Sequence, residues 1–234
     1  MNVFGKEVMM YSKVLPIIER MLKSLNISGQ ISRRLIYSQE NPVNTIVVQD
    51  LNDLNLVLGN RVHGLDEEHA KMVLTKIGQF HAASMVFARD NPEIMATFSK
   101  SVFHKDGDCV VRNTIFRENI GDMAELVKLW DGYTEISLKL SKIKENFFER
   151  MDKCLYNDES FKVLNHGDLW VNNCMFKCVN GLPSDMLFID FQMSYFASPA
   201  FDLHYFLNTS VQLNVLISKR YMLLRTYYKS LKST

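Results

Sequence analysis

The 234 residues carry a formal net charge of +1, with 47% apolar and 23% charged side chains. That balance belongs to a folded globular chain and excludes a disordered or collagen-like one, and the mixing of acids and bases gives no global reason to expect a nucleic acid or an anionic membrane as partner. The N-terminal MNVFGKEV lacks an apolar leader core, no stretch approaches a membrane span, and Cys109, Cys154, Cys174 and Cys178 lack paired zinc spacing, so a cytoplasmic chain with free, buried thiols is expected.

In chain order, Phe4, Val8, Tyr11, Leu15, Ile18 and Leu22 step by three and four residues, the stripe of an amphipathic helix over 4–25 that Pro16 should bend or interrupt. RRLIYSQ (33–39) and NTIVVQDL (44–51) read as an antiparallel strand pair around a turn at 40–43, and Arg33 and Arg34 read as solvated charges on a strand edge. Residues 66–88 form a long helix with its polar side chains outward, in which His81 is a core histidine. A further helix should start at Asn91-Pro92 and run toward Lys100. Residues 101–121 give no clear pattern. From Asp122 to about Met151 a helical period returns, with Leu126, Leu129, Trp130, Tyr133, Ile136, Leu140, Ile143 and Phe147 as its apolar face. Trp130, Tyr133, Phe147 and Phe148 could line a pocket, although an aromatic stripe at this spacing is more often core. CMFKCV and MLFIDF are strands joined by a hairpin loop at 180–185, and the chain from Asp202 is helical.

Chemistry is concentrated in HGDLWVNN and the following FIDF. Phosphoryl transfer asks mainly for positioning, a base near the attacking hydroxyl, and a hard cation on the phosphates. A carboxylate at Asp168 suits the base, and Asn173 and Asp190 offer the oxygen ligands that magnesium prefers. The hairpin should return Asp190 to the side of Asn173, five positions beyond Asp168. His166 is read as holding the loop backbone rather than moving protons.

These segments resemble the ecdysteroid-kinase-like (choline-kinase-like) family of insects, related to aminoglycoside phosphotransferases and choline kinases. FGKEVMMYSKVLP is similar to its glutamate helix, IVVQDL to its hinge strand, GLDEEHAKMVLTKIGQFHAAS to its lobe-spanning helix, and SPAFDLHYF to its segment after the catalytic loop. The resemblance implies an α+β, protein-kinase-like fold with a partial N-terminal lobe (1–51) and a mainly helical C-terminal lobe (52–234). It also implies ATP and Mg2+ as cofactors and a small-molecule alcohol, such as an ecdysteroid, as acceptor. Asp168 would be the base, Asn173 and Asp190 the magnesium ligands, Glu7 part of the nucleotide site, Gln49, Asp50 and Leu51 the edge facing adenine, and Asp202 a brace for the catalytic loop.

One departure stands out. No Gly-x-Gly hairpin or strand lysine precedes Glu7, and Lys6, one residue away on a helix, points elsewhere. The sequence is therefore expected to be a shortened member with weak or no ATP turnover, or a non-catalytic binding remnant.

Overall fold

The computed structural model describes residues 3–104, 112–155 and 161–234. They fall into two compact units, one of residues 100–160 and one of residues 2–99 with 161–234. Among the described residues, no helix is long and apolar enough to cross a membrane.

The larger unit opens with α1 (Val3–Met9), a π-helical turn (Met10–Val14) and α2 (Leu15–Ser24). Pro16 does not end the helix. It sits in the first turn of α2, where a missing N–H costs least, and the wider turn before it absorbs the mismatch. The inward face is continuous: Met10, Tyr11, Val14, Leu15, Ile18 and Leu22 are all buried in the main core.

Strands β1 (Leu35–Gln39) and β2 (Thr45–Val48) pair antiparallel, in register from Gln39 opposite Thr45 to Leu35 opposite Val48 with one irregularity. A two-residue strand, β3 (Val57–Leu58), was not foreseen; it adds to the edge of a second sheet in the order β3-β5-β6. There β5 (Cys174–Val179) and β6 (Leu182–Phe188) form a hairpin whose turn is only Asn180-Gly181, both at positive φ. The expected six-residue loop is therefore too long, because Asn-Gly suits a two-residue turn whose twist matches the strands. Strand β6 also stops at Phe188, leaving Ile189 and Asp190 beyond the ladder. Strands β4 (Val163–Asn165) and β7 (Tyr195–Ala197) form a third, antiparallel pair.

Helix α3 (Glu67–Asp90) is the spine of this unit, burying Val73, Leu74, Ile77, Phe80 and Phe87. Its polar residues are not all outward: Lys76, His81 and Ser84 are buried, and each is used. Ser84 Oγ donates to His81 O and accepts from Leu164 N, tying α3 to β4. Lys76 Nζ donates to Gln30 O at 2.8 Å, to Asp185 Oδ1 at 3.0 Å and to Met186 O, joining the segment after α2 to β6. Helix α4 is shorter than expected (Pro92–Ala96), and Asn91 turns its amide back to Phe87 O, closing α3 instead of capping α4. Helices α7 (Ala200–Ser210) and α8 (Leu213–Ser233) complete this unit. They are numbered after α5 (Asn119–Lys128) and α6 (Thr134–Leu155), which belong to the smaller one.

In that smaller unit a π-helical segment (Arg112–Glu118) precedes α5. The single helix expected from Asp122 is interrupted twice, at 129–133, where Gly132 takes φ +82°, and within α6 at Asn146, whose non-helical backbone (φ −120°, ψ 17°) kinks the chain. Leu126, Leu129, Trp130, Tyr133 and Ile136, expected as a buried face, are exposed, because a pattern counted across the break does not lie on one helical face. The aromatics divide accordingly. Trp130 meets Tyr133 edge-on, while Phe147 and Phe148 pack with Phe116.

Lys76→Ala leaves two carbonyl groups and a carboxylate without their shared donor. It should lower stability by about 3 kcal/mol in urea denaturation, whereas Asp185→Asn, on the exposed side of the pair, should cost under about 1 kcal/mol.

Candidate active site

The site is built on a buried carboxylate. Asp202, on the first turn of α7, is fully buried and accepts from His166 N at 2.7 Å and Gly167 N at 3.0 Å. Its Oδ2 also lies 3.2 Å from His81 Nε2, and His81 Nδ1 lies 3.0 Å from Tyr227 Oη on α8. A carboxylate only accepts, so His81 donates from Nε2 and takes the Tyr227 hydroxyl hydrogen at Nδ1. Burial and the Asp202 charge push the Tyr227 phenol well up, keeping it a donor. His81 is thus the core histidine expected, and it also belongs to the support of this loop, which sequence reasoning did not connect.

Gly167 must be glycine. Its φ is +85°, and an added Cβ would overlap the Met193 carbonyl. His166 Nε2 lies 3.0 Å from Ile189 O and therefore donates, which leaves Nδ1 to accept from Asp168 N at 3.3 Å. Complete burial lowers the affinity of this imidazole for a second proton, although Asp202 and Asp168 oppose the shift. His166 is a neutral strut between the catalytic loop and the residue before Asp190.

A 3₁₀ turn (Val171–Asn173) then carries Asn173 into the site. Its Nδ2 donates at 2.9 Å to both the backbone oxygen and Oδ2 of Asp168, leaving its Oδ1 for another ligand. Ile189 N donates to Asn173 O at 3.1 Å, which docks the end of the hairpin on this turn. Asp190 follows with φ +65°, a left-handed conformation that Asp tolerates better than bulky residues. Gln192 N–H serves its carboxylate, yet Oδ1 is buried with no hydrogen-bond partner among the described residues. Burial raises the Asp190 carboxyl above its ordinary value and the Asp168 charge adds to the rise, while the Gln192 N–H and the Arg33 charge oppose it. Glu7 on α1 is raised likewise, first by burial and then by Asp190, with Arg33 opposing.

Two participants escaped the sequence. Arg33, expected as a solvated edge charge, is half-buried, with its guanidinium carbon 5.8 Å from the Tyr11 ring centroid and its charge felt by both Glu7 and Asp190. Tyr205 on α7 hydrogen-bonds Asp168, and its phenol is pushed up to about 12, first by burial and then by that carboxylate. Both join residues far apart in the chain, which periodicity cannot signal. Lys6 is also buried, donating to Ser194 O at 3.2 Å, and burial lowers its ammonium to about 8.

Of the hinge residues, Gln49 N donates to Arg34 O at 2.9 Å and Asp50 Oδ1 caps Asn52 N. Leu51 is buried with Leu56 and Leu187. A cavity of about 540 Å3 lined by Tyr11, Arg33 and α2 lies to one side and does not include Asp168, Asn173 or Asp190.

The orphaned Asp190 oxygen, the free Asn173 Oδ1 and the nearby Asp168 make a hard, oxygen-only donor set that fits Mg2+. Among the described residues no group of three or more His, Cys, Asp or Glu is gathered for a metal, so a cation here would rely on the carboxamide and on substrate oxygens.

A raised carboxyl sets a pH signature. The folded state binds the Asp190 proton more tightly than the unfolded state does, so stability falls as pH climbs from the ordinary 3.8 through the raised folded value. Asp190→Asn, which also tolerates positive φ, should raise the thermal midpoint at neutral pH, and the gain should vanish below the ordinary carboxylate range; melting curves of both proteins across pH check this.

No curated protein matches this chain. A solved structure, the apoenzyme of macrolide 2'-phosphotransferase MphH from Brachybacterium faecium, aligns with 13% identity and a TM-score of 0.42 over 96% of this chain. This chain spans 66% of that one. The model of the ecdysteroid kinase-like family matches residues 1–234, and the helices, small antiparallel sheets and loop-plus-hairpin site accord with a protein-kinase-like fold. The chain belongs to the ecdysteroid kinase-like family.

Proposed function

We propose that this protein is an ATP- and Mg2+-dependent phosphotransferase that phosphorylates a hydroxyl of a small molecule, an ecdysteroid or a similar alcohol, in the cytoplasm. The observation that carries the reading is the convergence of three groups. Asp168 is hydrogen-bonded by Asn173, and Asp190, with one buried oxygen unclaimed, is docked beside them through Ile189.

Asp168 is the base. Asn173 Nδ2 and Tyr205 Oη hold its carboxylate, so it can orient the attacking hydroxyl and accept its proton as the new bond forms. Asp190 and Asn173 Oδ1 would hold Mg2+, which neutralises the charge spreading over the transferred phosphoryl oxygens. Asp202, through the backbone of His166 and Gly167, and His166, through Ile189, keep base and ligands in register. Gln49, Asp50 and Leu51 offer the edge that would face adenine. Glu7 and Arg33 are the charge pair beside Asp190, with Arg33 supplying positive charge toward phosphate oxygens.

The test is phosphoryl transfer from ATP to a panel of ecdysteroids and simpler alcohols by the purified chain. Asp168→Asn should lower kcat by about 10²–10⁴-fold while leaving ATP affinity within a few-fold, the behaviour of a lost general base. Binding of ATP with no transfer to any alcohol, unchanged by Asp168→Asn, would instead mark a non-catalytic binding protein.

A further inference from the structure

A second constellation lies away from Asp168, on the outer strand surface and the start of α3. Cys178, expected as a buried thiol, is instead exposed on β5, where the strand nears its turn, and its Sγ lies 3.8 Å from Nε2 of His69. The other nitrogen of that ring, Nδ1, is 2.8 Å from Asp66 Oδ1. Asp66 is the N-cap of α3 and accepts the His69 backbone N–H at 3.0 Å, so one carboxylate oxygen fixes both the backbone and the ring of His69. Burial pushes the Asp66 carboxyl up, but the two His69 hydrogen bonds outweigh it and hold the group below its ordinary value, hence ionised at neutral pH. An ionised carboxylate only accepts, so Nδ1 carries the hydrogen and, in the neutral ring, Nε2 presents a lone pair to the thiol. Phe176 meets the imidazole edge-on, with centroids 4.9 Å apart, and steadies its orientation.

The order thiol, imidazole, carboxylate is that of an activated nucleophile, with base and orienting group each in reach of the next. It opens on a space. A cavity of about 240 Å3 is lined by Cys178, His69 and Asp66 together with Val57, Gly59 and Gln212. That is below the roughly 300–1,000 Å3 of sites for drug-sized ligands, so its occupant is small. Cys154, also an exposed cysteine, has no hydrogen-bonded histidine among the described residues and supplies an internal reference.

We propose that Cys178 is a nucleophilic thiol, activated by His69 and Asp66, that undergoes thiol–disulfide exchange with small aliphatic disulfides. His69 Nε2 takes the Sγ hydrogen, and the thiolate attacks one sulfur of the disulfide. The S–S bond breaks, and the departing thiolate takes a proton from the imidazolium. The products are a mixed disulfide on Cys178 and one free thiol, with no net oxidation. Nothing in this chemistry depends on the phosphotransferase reading.

The experiment treats the folded chain with bis(2-hydroxyethyl) disulfide and follows each cysteine by peptide-resolved mass spectrometry. An ordinary thiol is only a few per cent thiolate at neutral pH, so activation can gain up to about 30-fold, and Cys178 should react at least about tenfold faster than Cys154. His69→Gly should bring the two rates together, and added imidazole should restore part of the difference, which a packing role for His69 could not produce. Asp66→Asn keeps a good helix cap, so it should stay folded while its rate falls between those of the parent and His69→Gly. Equal rates at Cys178 and Cys154 in the parent, or a His69→Gly rate equal to the parent's, would overturn the proposal; so would a failure of imidazole to restore any rate.

Discussion

The loop and hairpin that carry Asp168, Asn173 and Asp190 hang from the buried carboxylate of Asp202. A charge with no solvent exposure is tolerated only when hydrogen bonds replace the water it has lost, and here His166 N, Gly167 N and His81 Nε2 do so. That requirement runs both ways. The carboxylate needs those donors, so the loop can take only the conformation that supplies them, and Gly167 is the residue able to adopt it beside the Met193 carbonyl. Through His166 the constraint passes to Ile189, and through Asp168 to Asn173. Helices α3, α7 and α8, carrying His81, Asp202 and Tyr227, thereby fix the positions of Asp168, Asn173 and Asp190, the proposed base and oxygen ligands.

Around that rigid frame the electrostatics are unbalanced. Glu7, Asp168 and Asp190 are close enough that the charge on Asp190 raises Glu7 and the charge on Asp168 raises Asp190, with Arg33 the cation that opposes both rises. Carboxylates crowded in this way, one of them with an unclaimed buried oxygen, store strain that the chain alone does not relieve. A divalent cation bearing phosphate oxygens would relieve it, and strain of this kind is more readily understood as a binding site than as a contribution to stability.

How much of this was legible depended on the distance along the chain over which the information was written. The convergence of the 166–173 loop with the end of the hairpin was readable because Asp168, Asn173 and Asp190 lie within one local stretch whose spacing and turn chemistry are constrained. The antiparallel pairing of β1 with β2 was readable for the same reason. Asn180-Gly181 and Asp131-Gly132 carried turn signals that could have shortened the hairpin loop and split the helix after Asp122. Lys76, Arg33 and Tyr205 left no such mark. A buried lysine is recognisable only once Gln30 and Met186 are brought to it, and Arg33 is a surface charge until α1 and Asp190 close around it. His69 and Cys178 are 109 positions apart, which no window of periodicity can span.

The central claim is that Asp190 and Asn173 hold a cation for the phosphates, and the most direct measurement is calorimetric titration of ATP into the chain with Mg2+ and with the metal chelated. The account predicts that ATP binds measurably only with Mg2+, and that Asp190→Asn, while remaining folded, loses that dependence along with most of the affinity. Equal ATP affinity with and without Mg2+, or full Mg2+-dependent affinity in Asp190→Asn, would contradict it.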